Sequence, residues 1–233
     1  MKYLILGLVI FHVLLHLDLK AQPKWGHISF GLIRYEILDT TGFAENQFNE
    51  AKQIQFAKRF SKEYEFDLYF NKNKAYYIRD DGDVTWKAIY NMKSQVLYSY
   101  WDAPEAKDDS TKGHIWSLTK IISTMDSAKQ LIGFVDNPDN RKDIFGFDCF
   151  KVQYTPYDYG PVKAHAFVTS DLPIPSAVLF NVGVFREKWL PMEYTFPIGK
   201  SMLLVVGAIK FSHKKPKRKI FKLNLDGFEE KYY

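Results

Sequence analysis

The single cysteine, Cys149, sits in the stretch FGFDCFKV, residues 145–152. A thiol does covalent chemistry as its thiolate, and it needs a base within hydrogen-bond reach. His165 is the nearest histidine along the chain. It falls in the strand expected to pair with the cysteine's own, so register decides whether a dyad forms. Phe150, Val152 and Tyr154 make one apolar set; Val162, Ala164, Ala166 and Val168 make the other. Both sets share a face only if apolar positions oppose apolar positions. Opposing Phe150 to Val168 puts Cys149 across from Thr169 and His165 across from Gln153. At about 3.3 Å per residue, the pair is then roughly 13 Å apart. A two-residue slip leaves roughly 7 Å, and a one-residue slip sends them to opposite faces. No simple register makes a Cys–His dyad. One cysteine cannot form an internal disulfide, so Cys149 is expected to be a small buried apolar residue.

Other candidate chemistry is sparse. Beyond residue 21 the histidines are His27, His114, His165 and His213, widely spaced and without a metal-ligand pattern. Ser117 and Lys120 match the letters SxxK, but the companion motifs of that chemistry are missing. Asp80, Asp81 and Asp83 flank Gly82, and DNPDNRKD follows at residues 136–143. A calcium loop needs 6–8 oxygens in a longer arrangement, with a glycine at its sixth position. Both acidic stretches read as solvated turns. No catalytic, cofactor-binding or metal-binding residue is assigned, and the chain is expected not to be an enzyme.

The beginning of the chain sets the expected compartment. Lys2 is a positive n-region, residues 3–17 (YLILGLVIFHVLLHL) are apolar, and Ala21-Gln22 is a cleavage position. A secretory signal has an apolar core of roughly 7–15 residues, whereas a spanning helix needs about 20. Residues 1–21 are expected to be a signal peptide. Residues 22–233 are expected to form a single β-rich domain, periplasmic or envelope-associated and soluble after cleavage. No cysteine lies at the cleavage position to carry a lipid.

Composition is that of a globular protein, 46% hydrophobic and 25% charged, with 17% aromatics. The formal charge is +5. Residues 1–21 contain Lys2, Lys20 and Asp18, so their removal leaves +4. The excess is concentrated in Lys210, Lys214, Lys215, Lys217, Arg218, Lys219 and Lys222, a run without an acid. Such a run suits a nucleic acid or an anionic membrane surface. An exported protein has little access to nucleic acid, so none is expected. The run is read as a solvated hairpin turn around HKKPKRK, with anionic headgroups as the partner class for 210–222.

Strand patterns dominate the chain. HISFGLIRYEI, residues 27–37, places Ile28, Phe30 and Leu32 on one face, then Ile33, Tyr35 and Ile37. A period-2 pattern that flips beside Gly31 predicts a β-bulge in a long, bent strand. Residues 44–60 have helix formers, no Gly or Pro, and a partial apolar stripe, which predicts one surface helix. YEFDLYF, AYYIRD, VTWKAIY and QVLYSYW are joined by the polar turns NKNK and NMKS, a meander signature. Residues 102–114 read as a polar loop. IWSLT and KQLIGFV are short strands, and NPDNRKD is a turn cluster. FDCFKVQY and VKAHAFVTS form a hairpin. DLPIPSAVLFNVGVFREKWLP is a crossover with one helical turn. MEYTF, SMLLVVGAIKFS and RKIFKLNL close the sheet, and MLLVVGAI has the length of a strand buried on both faces.

Several of these stretches resemble a known family. DIFGFDCFKVQYT looks like the glycine–aromatic–x–cysteine strand of the GLPGLI proteins of Bacteroidetes. AFVTSDLPIP is similar to that family's next strand and its proline turn. GLIRYEI, FDLYFNKNKAYYI and IFKLNLDGFEEKY resemble its first strand, early hairpin and closing segment. KWLPMEYTF is the nearest counterpart of the naming motif; it keeps Leu190-Pro191 and lacks the glycines. The resemblance is to a divergent relative and implies an exported envelope protein without established enzymatic activity. By analogy with lipoprotein carriers it implies a curved antiparallel sheet or half-barrel with one or two short helices. The expected function is binding a lipid or apolar ligand on a concave face. The alternative is a structural or partner-binding component of an envelope complex. Tyr64, Phe66, Leu68, Phe70, Phe150, Val152 and Tyr154 supply apolar surface, first of all as core.

Overall fold

The computed structural model describes residues 23–37, 64–82, 84–102, 114–117, 134–154, 164–172, 174–179, 189–198, 202–222 and 229–230. The cleavage position at Ala21 and Gln22, the helix expected over 44–60 and most of the loop expected over 102–114 lie outside them.

Among the described residues, twelve strands make one sheet. They are β1 (Trp25–Ile37), β2 (Phe66–Asn71), β3 (Lys74–Asp80), β4 (Thr85–Asn91), β5 (Val96–Asp102) and β6 (His114–Ser117). The second half is β7 (Phe134–Ile144), β8 (Phe147–Tyr154), β9 (Ala164–Thr169), β10 (Leu190–Ile198), β11 (Met202–Ser212) and β12 (Glu229–Glu230). Their order is β12-β6-β5-β4-β3-β2-β1-β11-β10-β9-β8-β7. Every neighbouring pair is antiparallel except β12 with β6. The architecture is mainly β, an open antiparallel sheet, as the alternating pattern predicts.

Alternation selects the inner face. In β2, Phe66, Leu68 and Phe70 are buried, while Asp67, Tyr69 and Asn71 are only half-buried. Phe30 stacks on Phe66 at 4.5 Å, and Phe66 meets Tyr77 at 5.1 Å. The meander turns use asparagine side chains. Asn71 Oδ1 accepts the N–H groups of Asn73 and Lys74, and Asn91 Oδ1 accepts those of Lys93 and Ser94. Such caps satisfy turn donors locally.

The sheet curves enough for its two limbs to share one interior. After β9 the chain leaves the sheet and makes a 3-10 turn, Ser176–Leu179, which packs against β3 and β4. Along the sheet, β9 and β3 are separated by β10, β11, β1 and β2. Ile174, Val178 and Leu179 are fully buried there. Burial of each such side chain contributes about 1.5–3 kcal/mol. The described part of the crossover thereby packs over the inner face, with a helical turn as expected there.

β1 bends where the pattern flips. Leu32 opposes Val206 but Arg34 opposes Val205, so Ile33 is the extra residue of a bulge. A second bulge falls on the partner, where Ile209 is the extra residue between Ala208 and Lys210. Residues 203–208 of β11 are buried throughout, as a strand covered on both faces requires.

Three expectations are corrected. NPDNRKD is not the turn: it lies in β7, where the ladder to β8 jumps from Asn137 to Arg141. The turn is Phe145-Gly146, with φ of +55° and +84°, a two-residue connection. HKKPKRK is not a hairpin: the chain runs on from β11 to a 3-10 turn, Arg218–Phe221. RKIF is accordingly not strand. Phe221 is buried against Tyr76 and Ile89, on the sheet face opposite the main core. An aromatic residue inside the basic run anchors it to the sheet.

Candidate functional site

The cysteine's register is one of those weighed from the sequence. Phe150 opposes Val168, Val152 opposes Ala166, and Gln153 opposes His165. Cys149 and His165 therefore stay apart by several residues of strand. Cys149 is fully buried in the main apolar cluster, and its Sγ donates to the Phe147 carbonyl at 3.5 Å. Burial first, then the carboxylates of Asp171, Asp148 and Asp143, pushes the thiol up to about 12. The nucleophilic thiolate is thus suppressed at neutral pH. The His165 N–H donates to Thr195 Oγ1 at 2.9 Å, and that hydroxyl donates back to the His165 carbonyl at 3.0 Å. Thr195 extends the β9–β10 ladder with its side chain.

The other sequence candidates are dispersed. Ser117 ends β6, while Lys120 lies outside the described residues. Asp80 and Asp81 close the β3–β4 turn: Asp80 Oδ1 accepts the Gly82 N–H at 3.0 Å, and Arg79 bonds Asp81 at 2.7 Å. Arg141 grips Asp148 at 2.7 Å, and Asp143 accepts the Gly146 N–H. These carboxylates serve turns and ion pairs. Among the described residues no three His, Cys, Asp or Glu side chains gather as a metal site.

One constellation escaped sequence reasoning. His27 and Ser29 of β1 lie beside Asp67 of β2, because Ser29 opposes Asp67 in the ladder. Asp67 Oδ1 is 2.6 Å from His27 Nε2 and accepts the Ser29 hydroxyl at 2.7 Å. Ser29 Oγ is 3.3 Å from the same Nε2. The residue types are those of a nucleophilic triad, but the wiring differs. In a triad the carboxylate and the hydroxyl use different ring nitrogens. Here both face Nε2, and the serine proton goes directly to the carboxylate, a weak base. The imidazole is stacked on Tyr69 at 4.2 Å. Alternation on β1 and cross-strand pairing to β2 carried the signal, legible only once the β1–β2 register is known. Ser29 and Asp67 also line a shallow groove of about 340 Å³ with Ile78 and Ile209.

The interior holds the remaining polar atoms. Tyr77, Tyr90, Tyr154 and Tyr194 are buried in the main cluster. Tyr154 donates its hydroxyl to the Thr195 carbonyl. The hydroxyls of Tyr90 and Tyr194 are buried without a hydrogen-bond partner among the described residues. Burial, then the neighbouring Tyr77, Tyr154 and Tyr64, holds the Tyr194 hydroxyl well above the usual phenol range. Of the residues expected to supply apolar surface, Tyr64, Phe66, Leu68, Phe70, Val152 and Tyr154 share this cluster. Phe150 is half-buried at its edge, against Trp189.

Fold and site together define an open, curved β-sheet protein with a roofed aromatic interior. No family model and no curated protein matches the chain. Among the described residues no helix is long and apolar enough to cross a membrane.

Proposed function

We propose that the chain is an exported, non-enzymatic envelope protein that binds an amphiphile, a lipid or similar apolar molecule with one hydrogen-bonding head, on its inner face. The observation that carries this reading is that the hydroxyls of Tyr90 and Tyr194, both in the main cluster, are buried without a hydrogen-bond partner among the described residues. Burying a hydroxyl without a partner costs about 1–3 kcal/mol, and a ligand head would remove that cost. The suppressed Cys149 thiol and the wiring of His27 support a non-catalytic role. The apolar stretch 3–17 and the resemblance to GLPGLI proteins support export. The test is native mass spectrometry of protein purified from its own envelope. An amphiphile is expected to copurify and to be lost from a Tyr90→Phe/Tyr194→Phe variant. An empty protein that the same substitutions stabilise would overturn the reading, because an orphan hydroxyl in a dry core only destabilises.

A second reading, a partner-binding component of an envelope complex, is favoured by Ile33 and Ile209. They are 43% and 54% exposed beside one another at the two bulges. Ile33→Ser with Ile209→Ser should then release a copurifying envelope protein and leave ligand retention unchanged.

A further inference from the structure

One end of the sheet is strongly basic. Register brings together there the start of β1, the β2–β3 turn, the β4–β5 turn and the segment after β11. Trp25 opposes Asn71, Lys74 opposes Asn91, and His27 opposes Ser212. Residues 210–222 contribute seven cations. Lys24, Lys72, Lys74 and Lys93 come from three other elements, and all but Lys74 are exposed. Residues 23–30, 68–78, 88–98 and 204–222 contain no Asp or Glu. Among the described residues, Asp67 of β2 is held by His27 and Ser29, and Asp143, Asp148 and Asp171 on the other limb are engaged by Gly146, Arg141 and the Asp148 N–H.

We propose that this end docks on an anionic bilayer surface. Two observations select a membrane. The cations cover a blunt end of the sheet and are lysines apart from Arg218, point charges suited to mobile headgroups. Trp25 is 40% exposed at the rim, with Lys215 Nζ 5.5 Å from its ring centroid. An exposed Trp beside Lys is the amphipathic pairing that settles at a headgroup layer. Trp25 begins β1, so Lys24 immediately before it, exposed, lies at the same end. Cleavage after Ala21 would add an α-amino group to the same end. Buried Phe221 holds the basic segment against the sheet, so its charges are presented with little further ordering. The proposal goes beyond ligand binding on the inner face and stands without it.

Each basic residue near an anionic surface contributes roughly fivefold in binding. The test is cosedimentation of the processed protein with phosphatidylcholine vesicles, with and without phosphatidylglycerol. Binding is expected only with phosphatidylglycerol, and it should fall steeply as salt shortens the screening length below about 10 Å. Lys214→Glu/Lys215→Glu/Lys217→Glu should reduce it by about 100-fold or more. Lys24→Glu/Lys72→Glu, on different elements, should reduce it by about tenfold or more, which separates lost charge from local misfolding. Trp25→Ala should weaken it several-fold without changing the salt slope. Equal binding to pure phosphatidylcholine, or stronger binding to a DNA duplex than to the anionic vesicles, would overturn the proposal. Loss of the inner ligand with docking intact would instead concern the ligand reading alone.

Discussion

Gly31 of β1 lies directly opposite Gly207 of β11. The two bulge residues cover them reciprocally: Ile209 sits over Gly31, and Ile33 sits over Gly207. Missing side chains on one pair make room for the extra residues of the other, and the central strands bend there. The two glycines are not equivalent. The nearest atoms a Cβ at Gly31 would meet all belong to Ile209, with Cδ1 at 3.1 Å, and Ile209 is exposed and can turn aside. A Cβ at Gly207 would lie 2.7 Å from Ile33 Cδ1, 3.0 Å from the Met192 carbonyl and 3.2 Å from Glu193 Cα. Two of those atoms are β10 backbone. Gly207→Ala should therefore destabilise by about 1–3 kcal/mol in urea unfolding. Gly31→Ala should stay within about 0.5 kcal/mol. Equal effects would mean that the bulges do not lock this crossing.

Phe145 holds a left-handed conformation, φ +55°, in the β7–β8 turn and is 47% exposed. That conformation costs a residue with a Cβ about 1–2 kcal/mol, less for Asn. Phe145→Asn gives the preferred Asn-Gly sequence of a two-residue turn. It should raise Tm by about 1–4 °C, following the few degrees per kcal/mol of a chain this size. Gly146, at φ +84°, should show the reverse when changed to Ala.

These turns show where the sequence was legible and where it was not. Strand identity came through because Phe66, Leu68 and Phe70 alternate with polar residues, and β2 buries that set. The parity of β8 against β9 came through because both apolar sets must share a face, and the observed register, Phe150 against Val168, is one of the two that the pattern allows. The β7–β8 turn misled because turn letters are not unique to turns. Pro138 has no N–H to donate and sits where β7, an edge strand, breaks register, so its missing donor costs nothing. Phe145 carries no turn signal at all. The basic run misled for a related reason: its charge hid Phe221, whose contacts are on β3 and β4. The His27–Ser29–Asp67 cluster joins residues forty positions apart, and no local pattern announces it.

Alkaline pH should unfold this protein through groups held neutral in the core. The Cys149 thiol is raised in the fold from 9.0 to about 12, chiefly by burial. Above pH 9.0 the unfolded chain releases this proton while the folded chain keeps it. The stability is thus fully present below that pH and is lost as pH rises toward about 12. Tyr77, Tyr154 and Tyr194 shift in the same direction, also mainly by burial, from a reference of 10.0. Urea midpoints should fall steadily above about pH 9, and Cys149→Ala should flatten the first part of that fall. A thiol reagent at about pH 8 should label Cys149 only on unfolding. Rapid labelling of the native protein would contradict the burial.

Glu193 is nearly buried on the face opposite the main core, with 8% of its side chain exposed, and Lys142 reaches it from β7 at 2.6 Å. The lysine crosses two strands, β8 and β9, and its ammonium lies 5.4 Å from the Phe167 ring centroid on the way. The pair ties the edge strand to β10. Taking away only the cation strands a desolvated carboxylate, the expensive half of any buried pair. Lys142 is 42% exposed, so water partly relieves the loss. Lys142→Met should cost about 1–3 kcal/mol. Glu193→Gln, which can still accept a hydrogen bond, should cost less. Combining Lys142→Met with Glu193→Leu should recover much of the loss, because two apolar side chains need no partner there. A double-mutant cycle reads this directly. Coupling of about 1 kcal/mol or more is expected for residues in contact, and strict additivity would show that the edge strand is held by its ladder alone.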